Sequence, residues 1–194
     1  MIGPDQLAYM QGRSVTEGHM LINRALELCR SKKIQGVMAT IDFQGAFNTV
    51  NHNFLWQTME KMNVGNGFIN HLKTLYHGAK SAVLNFGTQT NWIEIQRSVR
   101  QGDPVSSYLF IIAMEALLCK LRRTISPIGY KKFTLSMISY SDDLTIFVPN
   151  EDELKEAINT VQSFEFASGL KINLDKSEVM SLGVPVSDRS TNER

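Results

Sequence analysis

Three aspartates stand where carboxylates are costly. Asp42 closes the apolar, partly β-branched run Val37-Met38-Ala39-Thr40-Ile41, while Asp142 and Asp143 sit between Met137-Ile138 and Leu144-Thr145-Ile146-Phe147. An ionised carboxylate resists desolvation unless something compensates it. Two adjacent aspartates in a tight turn also repel each other, a cost that a nearby cation relieves. If the strands on either side are neighbours, all three acids meet at one edge of a sheet. Oxygen-only ligands of this kind suit Mg²⁺ rather than Zn²⁺. Two such ions about 3.5–4 Å apart would activate a 3′-hydroxyl and stabilise a leaving pyrophosphate in an in-line displacement. The plainer alternative is that Asp142-Asp143 is a hairpin tip, where aspartate is favoured, and that Asp42 caps a strand end. The joint occurrence of the three acids sets the two readings level, and periodicity takes the question no further.

Elements that could position these acids follow from pattern. Ser14-Val15-Thr16-Glu17 has the form of a capping box ahead of Leu21, Ile22, Ala25, Leu26, Leu28 and Cys29, which predicts an amphipathic helix ending near Lys32-Lys33. After Gly36, Val37 to Ile41 reads as a buried strand. Phe54, Leu55, Met59 and Met62 predict a second helix closed by Gly65-Asn66-Gly67, and Phe68 to Tyr76 a third stopped by Gly78. Ser81 to Phe86 and Trp92 to Gln96 flank Gly87-Thr88-Gln89-Thr90 as a hairpin. Past Pro104, Leu109 to Leu121 is the most apolar helical stretch. Thr134 to Tyr140 and Leu144 to Val148 pair around the Asp142 turn. Asn150 or Asp152 can cap a helix that Gly169 ends, and Leu170 to Leu174 and Val179 to Leu182 read as two last strands. Together these predict a single α+β domain over residues 1–183, with 184–194 a polar, frayed tail.

Composition narrows the class. The chain has 194 residues, 43% hydrophobic and 20% charged, which is globular and excludes a disordered tail or fibrous repeat. Lys and Arg total 20 against 19 acids, a net charge of +1, whereas a free-standing nucleic-acid binder usually carries a clear positive excess. Cys29 and Cys119 fall within apolar helical patterns, which argues against a disulfide scaffold or zinc site and for a reducing compartment. No run of about 18 apolar residues predicts a membrane span, so no membrane partner is expected. Residues Met1 to Gly12 lack a secretory pattern, and an intracellular location, nuclear or cytoplasmic, is the expectation.

Several blocks then occur in an order that resembles the reverse transcriptases of non-LTR (LINE-type) retrotransposons. Asp42-Phe43-Gln44-Gly45-Ala46-Phe47 resembles the first palm motif, and Arg100-Gln101-Gly102-Asp103-Pro104-Val105-Ser106 the R-Q-G-x-P-x-S block. Tyr140-Ser141-Asp142-Asp143 is similar to the Y-x-D-D signature. Gly169-Leu170-Lys171-Ile172-Asn173-Leu174-Asp175-Lys176-Ser177 is similar to the family's G-L-x-I-N-x-x-K-S block, and Gln11-Gly12-Arg13-Ser14 to the G-R-S block of the fingers. The resemblance runs from about Asp5 to Gly183.

It implies a right-hand polymerase palm, a ferredoxin-like antiparallel sheet with helices on one face and catalytic acids on the other, plus part of the fingers. Asp42 and Asp142 would be the principal ligands of two Mg²⁺ ions, with Asp143 the accompanying acid; Mn²⁺ is an alternative ion. Phe47, placed where the family carries an aromatic steric gate, would clash with a 2′-hydroxyl and favour deoxynucleotides. Gln101 and Gly102 would line the template and incoming-nucleotide pocket, Arg100 would hold phosphates, and Lys176 would donate a proton to pyrophosphate. The implied partners are an RNA template, a DNA primer and deoxynucleoside triphosphates. The implied activity is RNA-directed DNA synthesis. The chain departs from the pattern at Asn48, where the family usually has an acid, and at Asp103, which puts an acid near a phosphate site. The family's thumb and endonuclease have no counterpart, so further domains are expected elsewhere. The rival reading is a non-catalytic remnant that binds RNA or a protein, motivated by that lack and by the near-neutral charge.

Overall fold

Ser14 starts the first helix: its side chain accepts a hydrogen bond from the Glu17 N–H, and α1 (Val15–Lys32) ends where Lys33 turns left-handed. In the computed structural model, which describes residues 2–183, β1 follows at Gly36–Ile41. Next come the single-turn α2 (Ala46–Thr49), then α3 (His52–Lys61), capped by the Asn51 side chain, and α4 (Asn66–Tyr76). Four two-residue strands form a projecting ribbon: β2 (Lys80–Ser81), β3 (Leu84–Asn85), β4 (Thr88–Gln89) and β5 (Ile93–Glu94). The apolar α5 (Ser106–Thr124) precedes β6 (Ile128–Tyr130), β7 (Phe133–Leu135), β8 (Met137–Tyr140) and β9 (Asp143–Val148). Asn150 caps α6 (Glu151–Ser168) through the Glu153 N–H, Gly169 closes it, and β10 (Glu178–Leu182) is last.

The central sheet has the order β10-β1-β9-β8, antiparallel throughout. Alternation along the strands divides its side chains between two layers. Val37, Ile41, Met137, Leu144, Ile146 and Val148 face α5 and α6 in the main core, where Leu117, Leu118, Phe110 and Val161 are fully enclosed. Met38, Ile138, Phe147, Met180 and Leu182 point the other way, against Ala25 and Cys29 of α1 and against Ile128 and Leu135. The sheet is therefore covered by helices on both faces, not on one as expected. The reason is sequence: the non-polar stripe of α1 needs an apolar partner, and Phe147 and Ile138 supply it.

Other expectations change in detail. Leu170 to Leu174 is not a strand; the Gln44 N–H to Lys171 carbonyl and Asn173 N–H to Asp42 carbonyl bonds make a single bridge of Ile172 to Phe43. Pairing stops there because the Asn173 carbonyl takes up the Lys176 and Ser177 N–H groups and the chain turns. The hairpin turns at Phe86-Gly87, both left-handed, rather than at Gly87 to Thr90, and its ladder is interrupted between β2–β5 and β3–β4. Asn66 and Gly67 lie inside α4, since Gly65 O accepts from the Phe68 and Ile69 N–H groups and so starts the helix. The expected strand from Thr134 to Tyr140 is divided at Ser136, whose carbonyl accepts from the Phe147 N–H, and its first part pairs with β6, which was not expected. Both cysteines are free. No described helix is long and apolar enough to cross a membrane. The predicted tail at 184–194 lies outside the described residues.

Candidate active site at the sheet edge

Strand register gathers the acids. Thr40 pairs with Thr145 and Ile41 with Leu144, the last pair of the ladder, so Asp42 leaves the end of β1 beside Asp143, which precedes Leu144. Alternation puts both on the α1 side of the sheet, at the end α1 leaves open. Asp143 also pairs with Tyr140, and Asp142 occupies the two-residue tip between β8 and β9.

Asp42 is held by the segment after α6. The Asn173 side-chain amide donates to Asp42 Oδ2 at 2.9 Å, and the Asn173 N–H donates to the Asp42 carbonyl at 2.8 Å. The Asp42 N–H donates to Ser177 Oγ at 3.2 Å, and that hydroxyl donates to the Asn173 carbonyl at 2.8 Å. Gly169 makes this route possible: its φ is +83°, and a Cβ there would lie 2.6 Å from the Thr49 carbonyl oxygen.

The Asp142 tip is held from the chain's beginning. Ser141 has φ 60° while Asp142 does not turn positive, the φ pattern of a II′ turn whose first central residue is ordinarily glycine. A non-glycine residue there costs on the order of 1–3 kcal/mol unless its surroundings fix it. Gln6, fully buried, accepts from the Ser141 N–H at 2.9 Å and donates to the Ser141 carbonyl at 3.2 Å and to Ser139 Oγ at 3.0 Å. Neither Gln6, Asn173 nor Ser177 stood out from the sequence as a site residue. Asn173 and Ser177 could have been found from their place in the 169–177 block; Gln6 left no single-sequence signal.

Asp143 senses the other two carboxylates. Though exposed at the sheet edge, it is raised from its ordinary aspartate value, first by desolvation of its carboxyl, then by the negative charges of Asp142 and Asp42. Among the described residues, no three His, Cys, Asp or Glu side chains already converge on a point where a metal ion could sit. The donor set nevertheless fits a hard divalent cation: every donor is a carboxylate oxygen, and the negative charges of Asp142 and Asp42, which add to the effect of burial on Asp143, are what a cation neutralises. Closing on an ion requires these side chains to swing together.

The residues expected around a substrate fall into two groups. Phe47 is half-buried and stacks on buried Phe110, ring centroids 4.4 Å apart and 12° from parallel. Its carbonyl accepts from the Val99 N–H at 2.8 Å, which ties Phe47 to the residue before Arg100. Gln101 and Gly102 form an exposed turn ahead of α5. Asp103 closes that turn through the Val105 N–H at 3.0 Å, so the unexpected acid has a local structural use. Arg100, by contrast, is turned onto α4: it donates to the Leu75 carbonyl at 2.7 Å and lies 5.0 Å from the centroid of the Tyr76 ring. Lys176 is exposed in the turn after Asn173, beside the residues that hold Asp42, and makes no ion pair among the described residues.

A four-stranded antiparallel sheet with helical layers and three acids at one strand-end edge is the palm of a polymerase. Two solved structures share this fold: telomerase from Candida tropicalis in complex with the TWJ fragment of telomeric RNA (TM-score 0.68, 15% identity, 91% of this chain and 30% of that one), and apo telomerase from Candida tropicalis truncated from its C-terminal domain (TM-score 0.67, 15% identity, 96% and 38%). The chain belongs to the reverse transcriptase (RNA-dependent DNA polymerase) family, whose sequence profile matches residues 1–192. Its relatives are non-LTR retrotransposon proteins. It is 29% identical to the transposon TX1 uncharacterized 149 kDa protein of Xenopus laevis over 91% of this chain and 14% of that protein. It is 27% identical to the Pol polyprotein of a type-1 retrotransposable element R2 from Popillia japonica over 92% of this chain and 26% of that protein. The chain thus spans about a quarter or less of the length of these two relatives.

Proposed function

We propose that this chain forms the catalytic palm of an RNA-directed DNA polymerase, adding deoxynucleoside triphosphates to a DNA primer 3′-hydroxyl on an RNA template. The observation that carries the reading is the register that ends at Ile41 and Leu144 and so leaves Asp42 beside Asp143, with Asp142 at the adjoining tip. Divalent cations, Mg²⁺ or Mn²⁺, supply Lewis-acid activation of the 3′-hydroxyl and neutralise the leaving pyrophosphate when bound. Asp42 and Asp142 hold those ions, with Asp143 contributing charge, and Asn173 orients Asp42 through its Oδ2. The Phe47 ring, fixed against Phe110, supports the sugar and rejects a 2′-hydroxyl. Gln101 and Gly102 offer backbone to the incoming nucleotide, and Lys176 delivers a proton to the pyrophosphate. Arg100 reaches phosphate only by leaving the Leu75 carbonyl. Likeness to retrotransposon Pol proteins and to a telomerase solved with telomeric RNA supports RNA as template. In a protein of the relatives' length, a thumb and an endonuclease outside these residues would supply grip and primer; an intracellular setting fits two free cysteines.

The test is extension of a DNA primer on an RNA template by the purified chain with Mg²⁺ or Mn²⁺, beside Asp142→Asn. Extension that is weak and vanishes in Asp142→Asn is the expected result; synthesis that survives the substitution overturns the mechanism. The rival reading, a non-catalytic module, wins if neither ion changes the melting temperature and no extension is seen.

A further inference from the structure

The Asp142 tip is held from outside itself. Ser141 occupies a left-handed position, and its own hydroxyl is buried with no hydrogen-bond partner among the described residues. The compensation comes from one side chain 135 residues away in sequence. Gln6 uses its whole hydrogen-bonding capacity: Oε1 accepts from the Ser141 N–H at 2.9 Å and the Ala8 N–H at 3.0 Å, and Nε2 donates to Ser139 Oγ at 3.0 Å and the Ser141 carbonyl at 3.2 Å. Ser139 Oγ in turn donates to the Ser141 carbonyl at 3.1 Å.

Delivery of that amide is itself fixed. The Leu7 N–H donates to the Ser139 carbonyl, and the Ser139 N–H to the Asp5 carbonyl, each at 2.8 Å, so residues 5–7 run parallel to β8 at the sheet edge. Arg122 pairs with Asp5, and Arg13 donates to the Gly3 and Gln6 carbonyls. A buried amide that served packing alone would have no need to address both polar backbone groups of one strained residue.

We infer that Gln6 is the positioning residue for the acid-bearing turn: its amide holds Ser141 left-handed and thereby aims Asp142 and Asp143 at Asp42. This rests on the reading of the three acids as a divalent-cation site.

Two readouts on the full chain separate that role from mere stability. Amide hydrogen exchange is measured at residues 139–143 without metal, and Mn²⁺ affinity is measured from the electron paramagnetic resonance signal of the free ion. The variants are Gln6→Met, Ser139→Ala and Asp142→Asn. The expectation for Gln6→Met is faster exchange confined to the turn, with α5 and α6 still protected, and an Mn²⁺ affinity lower by roughly 10- to 100-fold, as for other residues that orient metal ligands. Unchanged exchange at the turn, or exchange that rises equally through α5 and α6, overturns the inference. If Gln6→Met yields no folded chain, Ser139→Ala carries the test: faster turn exchange supports the inference and unchanged exchange overturns it. An Asp142→Asn chain that binds Mn²⁺ as the wild type does overturns the cation-site reading instead, and the exchange data then decide on Gln6 alone.

Discussion

Two antiparallel ribbons of this chain solve the same turn problem in opposite ways. The β8–β9 ribbon has Ser141 left-handed at its tip, walls on both faces, and Gln6 bonded to the turn backbone. The β2–β5 ribbon has Phe86 left-handed at its tip and every strand residue exposed. It turns Val83, Leu84, Phe86, Trp92 and Ile93 to solvent. Strain is thus buttressed at the tip that carries the candidate acids, and left unsupported at the tip that carries none of the candidate site residues.

The largest effect comes from removing the buttress at its root. Arg122 bridges Glu115, whose side chain is only 5% exposed, and Asp5, which lies next to Gln6. Both carboxylates hold the guanidinium in its charged form, against the cost of its burial. Arg122→Ala leaves Glu115 buried without its partner and is expected to destabilise the chain by about 3–5 kcal/mol in urea unfolding. The double variant Arg122→Ala/Glu115→Ala should recover part of that loss, because the more deeply buried of the two orphaned carboxylates is then gone and only Asp5, 17% exposed, is left unpaired. A double variant as unstable as the single one would show that lost packing, not charge, is the cause.

A smaller effect, of opposite sign, is expected at the acids. Folding raises the Asp143 carboxyl above its ordinary value. Between the ordinary aspartate value and the raised one, the folded chain therefore holds more protons than the unfolded chain, so stability falls as pH rises through that window. Without divalent ions, Asp143→Asn should melt above the wild type at neutral pH. The difference should close as pH drops below about 4, where the aspartate is neutral in both states. Adding Mn²⁺ should raise the wild-type melting temperature more than the variant's. A gap independent of pH would remove the charge explanation.

Much of this architecture is legible in the amino-acid sequence. Ser14, Asn150 and Gly169 mark helix ends by chemistry that acts within four residues, and the strands bearing Asp42 and Asp143 announce themselves by apolar runs ending in acids. Residues whose meaning lies across the fold could not be read this way. Gln6 is one polar side chain in a segment without period, and only the parallel bridge to Ser139 gives it a role. Leu170 to Leu174 looks strand-like by composition, yet its pairing stops after the one bridge to Phe43, where the Asn173 carbonyl starts a turn by accepting from the Lys176 and Ser177 N–H groups. Arg100 reads as a phosphate ligand, but the Leu75 carbonyl and the Tyr76 ring are nearer claims on it.

The smallest effect is predicted at the other tip. Phe86-Gly87 has two successive positive φ values, 45° and 81°, the pattern of a type I′ turn, for which Asn-Gly is the favoured pair. A phenylalanine there is left-handed at a steric cost and wholly exposed, so it returns no burial energy to the fold. Phe86→Asn should therefore slow amide exchange at Thr90, whose N–H donates to the Val83 carbonyl within the ribbon. Global unfolding should shift by no more than about 0.5 kcal/mol, because the ribbon is not packed into either core. The contrast with the β8–β9 tip is then direct. Relieving strain at Phe86 alters only its own ribbon, whereas loosening Ser141 disturbs the site. A Phe86→Asn chain destabilised by 1 kcal/mol or more would mean that the exposed ring packs after all, and that the two ribbons differ less than their geometry says.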